Sequence, residues 1–94
     1  MTPTQPHQPR RYRHKPGLVE TDLGDELVLL DPATRQMFSL NPTGRLLWRD
    51  LPEAGLDGAV SQITAGFEVE PDQARADALE LVRELVAVGL LESA

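Results

Sequence analysis

An α+β domain of winged helix-turn-helix type, a three-stranded antiparallel sheet followed by three helices, is predicted by three observations. Short aliphatic runs split by turn residues fill the first half of the body, the pattern of a meander. Two helix-start signals, Asn41-Pro42 and Glu70-Pro71, follow it. A length of 94 residues supports a single modest core.

Residues 18–22 (LVETD) read as the first strand, and the glycine of Asp22-Leu23-Gly24-Asp25 suits a tight turn. Residues 26–30 (ELVLL) form the second strand, whose unbroken aliphatic run predicts contact on both faces. In Asp31-Pro32-Ala33-Thr34 the proline presets φ and the aspartate can accept from the turn backbone. Residues 35–40 (RQMFSL) return as the third strand. Asn41 then caps the first helix, with Pro42 at its first position. That helix carries Leu46, Leu47 and Leu51 with Trp48 as anchor, and Pro52 is expected to end it. A second helix over 56–66 places Ala59, Val60 and Ile63 on one side. Gly58 and Gly66 weaken it, each glycine costing about 1 kcal/mol against alanine.

The third helix starts at Pro71, with Glu70 and Asp72 at the positive end of its dipole, and Gly89 caps it. Leu90 and Leu91 are expected to fold back onto the core. Its apolar positions fall in two stripes. Ala74, Ala78, Leu81, Leu85 and Val88 suffice for packing on one core. Leu79, Val82 and Val86 widen the arc and ask for another contact: deeper core, a homodimer, or the wall of a groove.

Charge divides the chain. The formal net charge is −6, yet residues 1–16 hold Arg10, Arg11, Arg13 and Lys15 and no acid, whereas the rest sets fifteen acids against five arginines. The proline-rich 1–16 segment has almost no aliphatic residues and reads as a flexible basic arm, with His7 and His14 solvated; residues 17–94 are the folded domain. The chain contains no cysteine, which removes disulfides and thiolate chemistry. No apolar run approaches the ~20 residues of a membrane span, and no signal-peptide pattern opens the sequence, so a cytoplasmic protein is expected.

Catalysis needs converging groups. Residues 17–94 contain no His, Cys, Lys or Tyr, the serines lack a nearby base, and no phosphate-cradling loop is present. An enzyme is not expected, nor is a metal or other cofactor. A winged-helix DNA-binding regulator is the main alternative, but a recognition helix should offer cations to phosphates and base edges. The second helix offers Ser61, Gln62 and Thr64, and the third sets Arg75 and Arg83 against Asp72, Asp77, Glu80 and Glu84. What remains is recognition by backbone: an edge strand at 35–40 beside the third helix would form a trough that accepts an extended peptide.

The passages VETDLGDELVLLDPATRQMFSLNPTGRLLW and FEVEPDQARADALELVRELVAVGLLE resemble the PqqD-like family, the peptide-recognition elements of ribosomally made, modified peptides. The matching features are the LLD turn, the F-S-L-N-P-T-G passage into the first helix, the V-x-P helix start, the Asp77 position and the terminal G-L-L. The resemblance spans nearly all of the body, and the basic arm lies outside it. It implies a winged helix-turn-helix that binds the leader of a precursor peptide as an added strand between third strand and third helix. The leader would then be presented to a maturation enzyme, such as a leader peptidase, a cyclase or a radical SAM protein. Carried over by position, Met37, Phe38, Ser39 and Leu40 fall on the pairing strand, with Phe38 and Leu40 turned to the core by alternation. Arg75, Ala78, Leu79, Val82 and Val86 match the groove wall. Asp77 is assigned to orienting the helix by a bond to a strand or loop, and Trp48, Ile63, Leu81 and Leu85 to the core.

Overall fold

The computed structural model describes residues 11–93. Strand β1 (Tyr12–His14) is followed by β2 (Val19–Asp22), β3 (Leu27–Asp31) and β4 (Gln36–Leu40). Helix α1 (Pro42–Gly66), helix α2 (Pro71–Ala87) and β5 (Leu91–Ser93) complete the chain. The expected meander is present as an antiparallel sheet in the order β2-β3-β4. Its first turn closes where Leu23 N donates to the Glu26 carbonyl at 2.8 Å, with Gly24 N donating to Asp22 Oδ1. Its second closes where Arg35 N donates to the Asp31 carbonyl at 2.7 Å, and Ala33 N donates to Asp31 Oδ1.

Alternation sorts the sheet's faces. Leu27 and Leu29 are buried and lie opposite Leu40 and Phe38 in register. Leu40 is buried and Phe38 half-buried against the same core. Val28 and Leu30, on the other face, are half-buried, so the aliphatic run of β3 is covered fully on one side only.

The helices depart from expectation at Pro52. A proline inside a helix leaves the carbonyl four residues earlier without its donor, here that of Trp48. His14 supplies the missing bond, its Nε2 lying 2.7 Å from Trp48 O. The helix therefore passes Pro52 and breaks three residues later at Gly55, whose φ of 72° and ψ of −178° suit a residue without a Cβ. Asn41 caps α1 as expected, its Oδ1 accepting from Gly44 N at 2.8 Å. Helix α2 ends in a Schellman arrangement, Leu90 N donating to Leu85 O and Gly89 N to Val86 O. Leu90 and Leu91 beyond it are buried.

The arm expected over 1–16 is corrected for its C-terminal part, while residues 1–10, His7 among them, lie outside the described residues. Strand β1 pairs antiparallel with β5, Tyr12 opposite Ser93 and His14 opposite Leu91. Tyr12 is buried in the core, which gives this short strand an apolar anchor. The His14 ring, expected in solvent, stacks on the Trp48 indole with centroids 3.8 Å apart and planes within 4°. Trp48 is itself fully buried, and its Nε1 donates to Glu20 Oε2 at 3.0 Å. Lys15 Nζ reaches Asp31 Oδ2 at 2.5 Å. Asp31 is only 3% exposed, and the Lys15 hydrogen bond holds its carboxyl below the ordinary carboxylate range. No helix among the described residues is long and apolar enough to cross a membrane.

Candidate functional site: an open sheet edge beside an acidic helix flank

Strand β4 is terminal in its sheet, and the turn hydrogen bonds reveal which of its amides are free. In a central strand, successive residues direct both backbone groups alternately to the two neighbours. The Leu23–Glu26 bond fixes the even-numbered residues of β3 as those facing β2. The Asp31–Arg35 bond fixes the odd-numbered ones as facing β4. Gln36, Phe38 and Leu40, in register with Asp31, Leu29 and Leu27, therefore pair inward. Met37 and Ser39 direct N–H and C=O away from the sheet, and no strand among the described residues meets them.

Next to this edge lies a groove of about 510 Å3. Phe38, Ser39 and Leu40 form one side of it, and Leu47 and Ile63 of α1 contribute to its lining. Ala74, Asp77, Ala78, Glu80, Leu81 and Glu84 of α2 supply the far wall. Gly44, also in the lining, is where α1 approaches α2: a Cβ there would stand 3.2 Å from Leu81 Cδ2 and 3.2 Å from Asn41 Oδ1.

Of the residues expected at a peptide site, Phe38, Ser39, Leu40 and Ala78 line the groove. Met37 projects from the opposite sheet face and is 68% exposed, contributing its backbone to the edge. Arg75, Leu79, Val82 and Val86 do not line it. Val82 is 3% exposed and belongs to the core, and Val86 is 41% exposed. Arg75 bonds Asp57 of α1 through its Nη1, so its flank of α2 lies towards α1. The groove stripe runs Ala74, Asp77, Ala78, Leu81, Glu84, at the i, i+3, i+4, i+7 spacing of one helix face, and the stripe of Leu79, Val82 and Val86 lies on the other flank. Leu81, assigned to the core from sequence, is half-buried and lines the groove. Asp77, expected to bond a strand or loop, instead accepts from Gln73 Nε2 on its own helix at 2.9 Å.

The electrostatics are one-sided. Asp77, Glu80 and Glu84 line the groove, and no Lys, Arg or His does. Elsewhere five cations, Arg13, Lys15, Arg45, Arg49 and Arg75, are engaged in ion pairs. Arg45 and Arg49 both meet Asp22 Oδ2 at 2.8 Å, fastening α1 to the end of β2. The Arg45 hydrogen bond, helped by Gly24 N–H and Arg49, draws the Asp22 carboxyl down to about 2.

A three-stranded meander with helices packed on one face, leaving an open edge above a groove, defines a small α+β domain built around its own sheet margin. The chain belongs to the PqqD family: the family model described as coenzyme PQQ synthesis protein D (PqqD) matches residues 26–91. Among curated proteins none matches the chain. Two solved structures are similar. One is TbiB1 in complex with the TbiA(beta) leader peptide, 28% identical, covering 85% of this chain and 94% of that one at a TM-score of 0.76. The other is lasso peptide synthetase B1 complexed with the leader peptide, 25% identical, covering 87% and 98% at a TM-score of 0.77.

Proposed function

We propose that this protein is a non-catalytic adaptor that binds the leader of a ribosomally made precursor peptide by strand addition along β4. It holds that leader for a maturation enzyme such as a leader peptidase, cyclase or radical SAM protein, in the cytoplasm where precursors are made. The observation that carries the reading is the outward pair of Met37 and Ser39 above a groove floored by Phe38, Leu40, Ala78 and Leu81. Kinship with two chains bound to leader peptides supports it.

The four edge groups of Met37 and Ser39 contribute roughly 0.5–1.5 kcal/mol each when paired. Apolar burial adds about 25 cal/mol per Å2, less the cost of ordering the peptide, so micromolar to nanomolar affinity is expected. The break at Gly55 divides α1 into two helical parts. Together with α2 they supply the helices of a winged helix-turn-helix, the fold we assign. The DNA-binding alternative is disfavoured by Asp77, Glu80 and Glu84 on the open flank of α2, which repel phosphates.

The test is selection of random twelve-residue peptides displayed against the full chain, followed by titration of the best binder. Leu81→Glu should weaken binding at least tenfold, whereas Val86→Glu should leave it within twofold. Equal sensitivity of the two variants would remove the groove from the reading, and failure to select any peptide would remove strand addition.

A further inference from the structure

We infer that the peptide taken by this groove is cationic, presenting Lys or Arg on the face turned to α2. The inference rests on the strand-addition reading and concerns the chemistry of the peptide. Three carboxylates, Asp77, Glu80 and Glu84, stand along the groove wall with no basic side chain in the lining. Among the described residues, Arg13, Lys15, Arg45, Arg49 and Arg75 are each held in ion pairs with acids outside the groove. The chain's own ion pairing thus passes the groove acids by.

Spacing adds a second constraint. Glu80 and Glu84 stand four residues apart on α2, about 6 Å along the axis. Same-face side chains of a strand repeat at about 6.8 Å. A strand lying along α2 therefore sets basic residues at i and i+2 against successive carboxylates, while their aliphatic stems cover Leu81 and Phe38. An acidic residue at either position would meet like charge in a partly enclosed groove and be rejected, so the wall selects by repulsion as well as attraction.

The same display selection reads this out separately from the binding mode. Sequences enriched on the full chain should carry Lys or Arg at alternate positions, and replacing those residues with Glu in the best peptide should weaken its titrated affinity at least tenfold. In the Glu80→Lys/Glu84→Lys double variant the preference should reverse. The control Glu26→Lys/Glu53→Lys, which changes net charge equally on exposed residues outside the groove, should keep it. Binders without charge preference, or a preference abolished equally by the control, would overturn the inference and leave strand addition standing. Absence of any binder would overturn both.

Discussion

His14 Nε2 lies 2.7 Å from the carbonyl oxygen of Trp48, the acceptor that Pro52 leaves without a helical donor. A carbonyl only accepts, so Nε2 carries the proton. The imidazole also covers the Trp48 ring, and its Nδ1 stands 3.6 Å from Glu20 Oε2. One side chain from β1 thus satisfies a partly buried acceptor in the middle of α1 and stacks on the only tryptophan.

His14→Ala should therefore destabilise the domain by about 2 kcal/mol, combining the loss of a hydrogen bond to a partly buried carbonyl with a lost aromatic stack. Urea unfolding followed by Trp48 fluorescence measures it. Pro52→Ala restores the helical N–H, so the loss from His14→Ala should be smaller in that background. Equal losses in both backgrounds would show that the carbonyl bond contributes nothing.

Acid sensitivity should trace to Asp22. Its carboxyl has an ordinary value of 3.8 and is held at about 2 in the folded chain by Arg45, Gly24 N–H and Arg49. A depressed folded value means the stabilisation is fully present above the unfolded value and is lost as pH falls through the folded one. Wild type should exceed Asp22→Asn in urea midpoint at about pH 6, and the gap should close towards about pH 2. A gap independent of pH would mean that the ion pairs with Arg45 and Arg49 do not stabilise the fold. Asp31, lowered by Lys15, shifts stability in the same direction.

Elements whose signals are local were legible in the sequence. The turns at 22–25 and 31–34, the Asn41 cap and the Gly89 stop depend on residues that bond within a few positions of themselves, and all four are present. The groove-facing flank of α2 was not legible, because Leu79, Val82 and Val86 extend the apolar arc of the helix to the other side of its core stripe. Which side faces the sheet is decided by packing far along the chain, where Gly44 of α1 admits Leu81. The acids at Asp77, Glu80 and Glu84, none of them in an ion pair among the described residues, carried the better signal, since core-facing helix positions exclude unpaired charge. The place of His14 was equally hidden, its purpose arising only from a proline 38 positions later.

Gly44 offers a way to separate groove shape from stability. Alanine there gains up to about 1 kcal/mol of helix propensity. Against this stands a Cβ 3.2 Å from both Leu81 Cδ2 and the capping Asn41 Oδ1, and crowding a packed contact costs about 1–3 kcal/mol. Leu81 borders open space and can yield, so the two effects should nearly cancel. Gly44→Ala should stay within about 1 kcal/mol of wild type in urea unfolding. The displaced Leu81 should nonetheless lower the affinity of a selected peptide several-fold. Unchanged affinity would mean that the wall at Leu81 does not touch the peptide.

The edge itself is tested by proline. In β4 the amide of Ser39 points outward while that of Phe38 bonds β3, by the alternation fixed at the Leu23–Glu26 and Asp31–Arg35 turns. Proline is tolerated on an edge strand where its missing N–H faced solvent and breaks the ladder where it faced a neighbour. Ser39→Pro should keep the fold, with a modest cost for its fixed φ, and should remove one of the four edge groups offered to a peptide. Titration should then show affinity lowered about tenfold, the equivalent of one hydrogen bond near 1.4 kcal/mol. Phe38→Pro should instead lower the unfolding midpoint itself. If Ser39→Pro unfolds the domain while Phe38→Pro does not, the register runs the other way, and the exposed amides belong to Phe38 and Leu40.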